Sequence, residues 1–322
     1  AYCAGYQYED KTIVGFSHTH LSGTGHSDLG DIMVMPQTGV LKLNPGTADN
    51  PDAGYRQRFS HTTEKASAGY YEVTFDDSDI RCQFTATPRV GIHKYTFRKG
   101  DNQRIIIDML HGIYNYDGKV LWSSIRVEND SILTGHRITN GWARENYTYF
   151  AIKFSKPVKS YGYKDMKKAD YMGFMRKLNI YNSFPEIAGR DVVAYFDFSN
   201  DDEVLEMEVA LSAVSAEGAM KNLKAEATGT FNELYAKTLK SWNDELGQIQ
   251  VEGSEKEKQM LYTSFYHTMI NPSVYQDVDG NYRGLDGNIH NAEGFTNYTV
   301  FSLWDTYRAE HPLLALLKPQ RD

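Results

Sequence analysis

Alternation of apolar and polar residues predicts β-strands through most of residues 1–230. Val120–Val127, Ile132–Thr139 and Tyr147–Ser155 alternate in this way, with the period of a half-buried strand. Asn140-Gly141 lies between two of these segments, and such a pair is a turn signal. Many antiparallel strands joined by short turns form a sandwich. We therefore predict a mainly β fold with α-helices, whose N-terminal part is a large antiparallel β-sandwich.

The hydrophobic period changes to that of a helix at Phe231. In Phe231–Leu246, apolar residues fall at positions 231, 234, 235, 239, 242 and 246, which gives a stripe along one helix face. Ser254 and Glu257 form the Ser-x-x-Glu pattern of a capping box, which predicts that a second helix begins there. These signals divide the chain into a β domain (residues 1–230), a helical linker (residues 231–253) and the start of a helical domain (residues 254–322).

Two further elements are expected near the end of the chain. Asp279-Gly280 lies between strand-like flanks and predicts the turn of a hairpin. A third helix is expected from about Ser302. Two or three amphipathic helices cannot bury their apolar faces by themselves, so the pattern indicates an incomplete helical domain.

Charge and composition argue against several classes of partner. The net charge is -8 and the pI is about 5.7, which disfavours nucleic acid and anionic membranes because both require basic surface. No run of 18 apolar residues occurs, so no transmembrane helix is expected. The 23 tyrosines are the main outlier. A tyrosine ring has an apolar face and a polar tip, which suits sugar binding as well as the strands of a β domain.

Histidines and acids concentrate in Gly15–Pro36, which reads GFSHTHLSGTGHSDLGDIMVMP. An extended His18-x-His20 places both imidazoles on one side of the chain. With His26 and Asp28 nearby, a metal site is one interpretation. A loop held together by its own histidines and serines is another. We favour a polar loop that faces a substrate, because loops on rigid scaffolds commonly carry function.

Trp304-Asp305-Thr306-Tyr307-Arg308 is the sharpest motif in the second half of the chain. On a helix, Asp305 and Arg308 lie on one face because they are three residues apart. One interpretation is a surface ion pair beside a packed Trp304. The other is a sugar contact, in which the indole ring stacks on the sugar and the carboxylate accepts hydrogen bonds from its hydroxyls.

Several segments together resemble the calcium-dependent exo-α-mannosidases of glycoside hydrolase family 92. The resemblance begins with the Gly15–Pro36 segment and continues, in the same order, through segments across the chain. These are Phe59-Ser60-His61, Ala68-Gly69-Tyr70-Tyr71, Thr85-Ala86-Thr87-Pro88-Arg89-Val90-Gly91-Ile92-His93, Phe301-Ser302-Leu303 with the Trp304 motif, and His311-Pro312-Leu313.

This resemblance implies a fold and an activity. The fold would be an N-terminal β-supersandwich joined by helices to an (α/α)6 barrel, of which this chain would hold only the first helices. The activity would be hydrolysis of terminal α-linked mannose from mannose-rich glycans with inversion, as a step of N-glycan degradation. Calcium would bind the O2 and O3 hydroxyls of the terminal mannose. Inversion requires a general acid and a general base far enough apart to hold a water between them.

The resemblance also implies where the site residues lie. Such enzymes are roughly twice this length, in terms of ordinary domain sizes, so the acid, the base and the main calcium ligands are expected beyond residue 322. The absent part of the barrel is then the expected partner of this chain. Substrate-binding residues are expected in the two motifs above, namely Trp304, Asp305 and Arg308 by resemblance, and Phe16, Ser17, His18 and His20 as further contacts.

The start of the chain bears on its cellular location, and two alternative functions stay open. The chain begins at Ala1 without a signal-peptide pattern, which indicates processing, cleavage or an intracellular location. The mannosidase interpretation favours a secreted or periplasmic protein. The first rival is a carbohydrate-binding β-sandwich without catalytic activity. The second is a zinc enzyme that uses His18, His20 and His26.

Overall fold

The computed structural model describes residues 5–21, 28–164, 185–299 and 302–321. In these ranges the strands are β1 (Thr12–Ile13), β2 (Met33–Gln37), β3 (Gln57–Arg58), β4 (Lys65–Ser67), β5 (Tyr70–Thr74), β6 (Arg81–Ala86), β7 (Val90–Thr96), β8 (Gln103–Asp108), β9 (Val120–Val127), β10 (Ile132–Thr139), β11 (Asn146–Phe154), β12 (Val158–Tyr163), β13 (Glu186–Gly189), β14 (Val193–Phe198), β15 (Val204–Ser212), β16 (Asn281–Arg283) and β17 (Ile289–Asn291). The helices are α1 (Ala216–Glu226), α2 (Phe231–Leu246), α3 (Glu255–Thr268), α4 (Leu303–Thr306) and α5 (Glu310–Leu317).

Two sheets form the body of the molecule. Within the described residues, the larger sheet has the strand order β13-β9-β10-β11-β15-β7-β6-β5-β4, and the smaller sheet has the order β12-β14-β8-β2. Neighbouring strands pair antiparallel throughout both sheets. The predicted mainly β, antiparallel fold is therefore confirmed.

The hydrophobic core lies between these two sheets. Phe150 and Met207 of the larger sheet and Ile105 and Phe196 of the smaller sheet belong to one buried cluster, and all four are 0% exposed. Burial of an aromatic or aliphatic side chain of this size contributes about 1.5–3 kcal/mol relative to exposure. The alternating pattern seen in the sequence is thus the alternation between this core and the outer faces of the sheets.

Helices α1 and α2 cover the outer face of the larger sheet. Leu223 of α1 and Leu234 of α2 pack with Val90 and Ala210 in a second buried cluster. The predicted helix Phe231–Leu246 is confirmed at both ends. Helix α1 lies inside the region that the sequence pattern assigned to β-structure, so that assignment is wrong for Ala216–Glu226.

The capping box of α3 is also confirmed. Ser254 accepts a hydrogen bond from the backbone N–H of Glu257, and the Glu257 side chain accepts one from the backbone N–H of Ser254. This reciprocal pair satisfies two amide donors that a helix N-terminus otherwise leaves open.

The hairpin turn near residue 280 is not where the sequence pattern placed it. The hairpin joins β16 to β17 through the loop 284–288, with Gly284 N–H donating to the Asn288 carbonyl at 2.8 Å. Asp279-Gly280 instead closes an earlier turn, in which Gly280 N–H donates to the Asp277 carbonyl at 2.9 Å. The reason is that Asp277, which precedes this turn, accepts hydrogen bonds from Ser212 and Asn222, far away in the sequence.

Among the helices of the described residues, none combines sufficient length with sufficient apolar character to cross a bilayer.

Candidate functional site

A cavity of about 1630 Å³ lies between the N-terminal segments and the hairpin region that follows α3. Four predicted contact residues line it, namely Phe16, Ser17, His18 and His20. The structure therefore brings this part of the predicted site together around one space. Whether these side chains contact a substrate stays a prediction.

The backbone of the Gly15–Leu21 segment is fixed against the chain just before and within β2. Phe16 and Val34 exchange two backbone hydrogen bonds, both of 2.9 Å, and His18 N–H donates to the Asp31 carbonyl at 2.9 Å. A side chain at Gly15 would place its Cβ 1.9 Å from the sulfur of Met33, so only glycine fits this approach. The Phe16 ring packs on Phe84 with a centroid distance of 4.2 Å.

His18 is held by a chain of hydrogen bonds that runs into the core. Its Nδ1 lies 2.6 Å from the Ile32 carbonyl, which can only accept, so Nδ1 carries the proton. Neutral His18 must then accept at Nε2 from Nε2–H of His93 over 2.9 Å, and Nδ1 of His93 accepts from the Tyr95 hydroxyl over 2.7 Å. The polar chain is therefore satisfied when both imidazoles are neutral, and it is broken when both are protonated, because two Nε2–H donors would then face each other.

Burial keeps this histidine pair neutral. Desolvation lowers the pKa of His18 to about 4, the Ile32 hydrogen bond opposing the shift. Desolvation, together with the neighbouring His18, lowers the pKa of His93 well below its usual value. His18 thus anchors the loop to the larger sheet as a neutral residue, and its ring nitrogens are already engaged.

Ser17 and His20 are the polar groups of this loop that face the cavity. The Ser17 hydroxyl lies 2.9 Å from Nε2 of His20. His20 reaches solvent through the cavity, yet the surrounding protein lowers the pKa of its imidazole by desolvation, against the effect of Asp31. A neutral imidazole beside a hydroxyl offers one donor and one acceptor on each group, which matches the hydroxyls of a neutral sugar.

A buried ion pair supports the loop from behind. Asp31 and Arg137 are both 0% exposed, and Nη1 of Arg137 donates to Oδ1 of Asp31 at 2.5 Å. The second carboxylate oxygen of Asp31 accepts from the Thr19 hydroxyl at 2.7 Å. Arg137 also donates to the carbonyls of Met109 and His111. One guanidinium therefore ties the His18–His20 loop to the segment around His111, and both line the cavity.

Sequence reasoning missed two basic groups in the cavity wall. Arg56 donates to the Thr12 hydroxyl at 3.2 Å, and among the described residues its Nε is buried without a hydrogen-bond partner. Desolvation lowers the pKa of His111 to about 4, which keeps its imidazole neutral. Neither residue belongs to a local motif. They reach the site because their strands and loops converge there.

The opposite wall is organised around Asp277 and Arg283. Asp277 is 2% exposed and accepts from the Ser212 hydroxyl and the Asn222 amide, each at 2.8 Å. Burial raises its pKa, although both hydrogen bonds oppose the shift. The Arg283 guanidinium donates to the Ala213 carbonyl at 2.9 Å and lies 4.3 Å from the centre of the Tyr147 ring. These long-range contacts fix the hairpin region against the β-sandwich.

The Trp304 motif lies elsewhere. None of the described residues after Thr299 lines the cavity, so the structure does not bring Trp304, Asp305 and Arg308 together with the Ser17–His20 loop. Trp304 is 80% exposed, and Nε of Arg308 donates to the Tyr307 hydroxyl at 2.6 Å. The interpretation in which Trp304 is packed beside an Asp305–Arg308 ion pair is therefore wrong for the described chain, and the sugar-contact roles stay predictions.

The metal interpretations depend partly on residues outside the described ranges. His26 is one of them, so the proposed His18, His20 and His26 set is not assembled here. Among the described residues, no group of three or more His, Cys, Asp or Glu side chains is arranged to hold a metal ion.

Two protein-family models match the chain. Residues 1–212 match the glycosyl hydrolase family 92 N-terminal domain, and residues 218–322 match the glycosyl hydrolase family 92 catalytic domain. The comparison with curated protein sequences gave no significant match.

Three solved structures of this family share the fold of the chain. The family GH92 alpha-mannosidase BT3965 of Bacteroides thetaiotaomicron, solved in complex with mannoimidazole, is 43% identical over 97% of this chain, with a TM-score of 0.89. The family GH92 inverting mannosidase BT2199 of the same species is 28% identical over 98%, with a TM-score of 0.81. The GH92 hydrolase ccman5 is 26% identical over 98%, with a TM-score of 0.83. The chain spans 40%, 40% and 42% of these proteins.

Proposed function

The chain belongs to glycoside hydrolase family 92, and we propose that it is part of an exo-α-mannosidase that removes terminal α-linked mannose from mannose-rich glycans. One observation carries the proposal. A mannosidase that is 43% identical over 97% of this chain binds mannoimidazole in its solved complex. A fold shared at this identity supports a shared substrate class more strongly than fold similarity by itself.

The cavity groups suit recognition of a neutral sugar. Ser17 and His20 offer hydrogen bonds without net charge, while Phe16 offers an apolar face beside them. A typical neutral hydrogen bond contributes about 0.5–1.5 kcal/mol. We infer that this loop helps to bind and orient the glycan, while Trp304, Asp305 and Arg308 contact the terminal mannose.

Inversion and calcium dependence are parts of the same proposal. The inverting relative BT2199 supports the stereochemistry. An inverting mechanism needs two carboxyl groups about 6.5–9.5 Å apart, with a water between them. We propose that both groups, and the main calcium ligands, lie in the part of the family fold that this chain does not span. A bound calcium would orient sugar hydroxyls. The residues described here hold the loop and cavity in place.

The activity test compares two preparations. The native enzyme is expected to release mannose from α-mannobiose, and release should stop when calcium is chelated. The 322-residue chain by itself is expected to release none, because the acid and base are proposed to lie outside it. Mannose release by the isolated chain, at a rate similar to that of the native enzyme, would contradict this division of roles.

A binding measurement separates the enzyme from a non-catalytic module. Calorimetry with mannose and α-mannobiose gives the affinity of the native protein for each sugar. Tight binding of both sugars without any hydrolysis by the native protein would favour a carbohydrate-binding module. Turnover of α-mannobiose favours the mannosidase.

Location is a further proposal. Because the proposed substrate is a mannose-rich glycan, we propose a secreted or periplasmic protein. Fractionation of the source cells, with an antibody against the chain, tests this directly. Recovery in the cytoplasmic fraction would contradict it.

A further inference from the structure

Three large aromatic side chains are exposed on two adjacent loops. Tyr114 is 49% exposed, Tyr116 is 41% exposed and Trp142 is 63% exposed. The rings of Tyr114 and Tyr116 lie 6.0 Å apart between centroids. We call these three side chains the aromatic platform. Exposed apolar groups that lie close together indicate a binding surface more often than single exposed residues do.

The aromatic platform is carried by residues next in the chain to residues that line the cavity. Asn115, between the two tyrosines, lines the cavity, and so does Ala143, which follows Trp142 directly. Consecutive Cα atoms are about 3.8 Å apart. The backbone that carries the aromatic platform is therefore within about 4 Å of residues that line the cavity.

Hydrogen bonds join the two loops to each other. The Tyr116 hydroxyl donates to the Asn140 carbonyl at 2.8 Å, and Asn140 N–H donates to the Lys119 carbonyl at 2.8 Å. Binding to a preordered surface costs less conformational entropy than binding to loops that must first be ordered. The arrangement is therefore suited to a ligand with few strong contacts.

A buried ion pair fixes Trp142 in particular. Asp28 accepts from the Trp142 backbone N–H at 3.0 Å and is paired with the Lys119 ammonium, and these Asp28 and Lys119 side chains are 11% and 3% exposed. Desolvation of both charges offsets much of the stability that such a pair contributes. Its effect here is to hold the backbone that presents the indole ring.

Gly141 is required by the same arrangement. A Cβ at this position would lie 2.3 Å from Oδ2 of Asp28, an atom that already accepts from Trp142. The carboxylate cannot move away without losing its partners. Gly141, Asp28 and Lys119 together therefore fix the backbone that carries the exposed Trp142 side chain.

We propose that Tyr114, Tyr116 and Trp142 bind the sugar units of the substrate glycan that lie beyond the terminal mannose. This inference rests on the proposed function. Aromatic rings offer flat apolar faces on which the C–H surface of a sugar can stack. A neutral oligosaccharide that continues from the cavity is the ligand that this surface fits.

The test uses the native enzyme and two substrates. One is a mannose-rich glycan, and the other is 4-nitrophenyl α-mannoside, which has no further sugar units. For Trp142→Ala, the ratio of kcat/KM for the glycan to kcat/KM for the aryl mannoside is expected to fall about tenfold, which corresponds to about 1.4 kcal/mol. The change should appear mainly in KM for the glycan. An unchanged ratio would overturn the proposal.

A matched variant controls for the loss of any exposed tryptophan. Trp122 is 46% exposed on β9, and among the described residues neither it nor its two chain neighbours line the cavity. Trp122→Ala is expected to leave the ratio unchanged. If both variants lower the ratio equally, the aromatic platform has no specific role and the proposal is wrong.

Failure of the proposed function is distinguishable from failure of this inference. If the native protein releases no mannose from either substrate, the mannosidase proposal fails. Calorimetric titration with the same glycan then tests the aromatic platform separately. At least tenfold weaker binding by Trp142→Ala than by Trp122→Ala would support the platform, and equal binding would overturn it.

Discussion

The segment 15–21 and the helical segment that begins at Ser302 carry the two strongest motifs, but the structure holds them differently. The loop is fixed by Arg137 and His93, which lie far away in the sequence. Among the described residues, none in α4 or α5 is buried, and an ion pair of 2.5 Å between Lys318 and Glu245 connects the end of this segment to α2.

Substitutions in the two segments should therefore change different properties, namely stability for the loop and turnover for the Trp304 segment. The anchors of the loop lie among the described residues, so breaking them should first lower stability. The exposed side chains of the Trp304 segment contribute little to the stability of the described structure. Their proposed role appears only in the native enzyme, where substitution should change turnover.

The largest expected effect comes from the anchor of the loop. Arg137→Met leaves the Asp31 carboxylate buried without its partner, and breaking a buried pair in this way costs about 3–5 kcal/mol. Urea unfolding of the native enzyme, followed by circular dichroism, measures the loss. Arg98→Met is the matched control, since its ion pair with Asp79 is largely exposed and should contribute less than about 1 kcal/mol. Equal losses for the two variants would contradict the contrast.

Asp305→Ala should have the next largest effect, and it should act on activity. A hydrogen bond to a charged group is worth about 1.5–3 kcal/mol, so kcat/KM of the native enzyme for α-mannobiose is expected to fall about 10- to 150-fold. The unfolding midpoint should hardly change, because Asp305 is exposed. Asp305→Asn keeps the shape of the side chain and tests whether charge is needed. Unchanged kcat/KM in both variants would remove Asp305 from the site.

The free energy of unfolding should depend on pH through the buried histidine pair that anchors the loop, and not through the exposed histidine on α3. The pKa values of His18 and His93 are lowered in the folded protein, His18 to about 4. Between pH 6.5 and about 4, the unfolded chain therefore binds more protons, so stability falls as the pH decreases through this range. Replacement of the pair is expected to flatten this dependence, as measured by urea unfolding of His93→Gln between pH 7 and pH 4.5.

The control for the pH effect is His267→Gln on α3. His267 is exposed, and its replacement should leave the pH dependence of stability as it is in the unsubstituted protein. A His93→Gln variant whose unfolding midpoint changes with pH as steeply as that of the control would show that the buried pair does not cause the effect.

The smallest expected effect concerns the helical segment. Ser254→Ala removes the hydroxyl that accepts from Glu257 N–H, and loss of such a cap costs about 1 kcal/mol. Ser254→Thr retains a capping hydroxyl and should cost a smaller part of this amount. Thermal unfolding of the native enzyme compares the two. A larger loss for Thr than for Ala would contradict the capping role.

The same contrast explains which parts of the fold the sequence predicts. The apolar stripe of α2 and the capping box of α3 are local signals, since each is made by residues within one or two turns of a helix. Both predictions are confirmed. The turn at Asp279-Gly280 was placed wrongly because Asn222, 55 residues away from Asp277, fixes that segment. A contact of this kind leaves no local pattern.

In the candidate site, too, the sequence identified only residues that belong to one local motif. His18 and His20 stand out in the sequence because they are neighbours in one short motif. Arg56, His111 and Arg137 come from separate segments and become neighbours of the loop only through strand pairing and tertiary packing. Helix α1 was missed for a related reason, because Ser215, which caps its N-terminus, is an ordinary turn residue as well.

The stereochemistry of mannose release tests the central claim most directly. Proton NMR of the native enzyme acting on α-mannobiose distinguishes the anomers of newly released mannose before they interconvert. The account predicts that β-mannose appears first and that chelation of calcium abolishes the signal. Release of α-mannose first would contradict inversion, and the absence of any release from native enzyme supplied with calcium would contradict the assignment as a mannosidase.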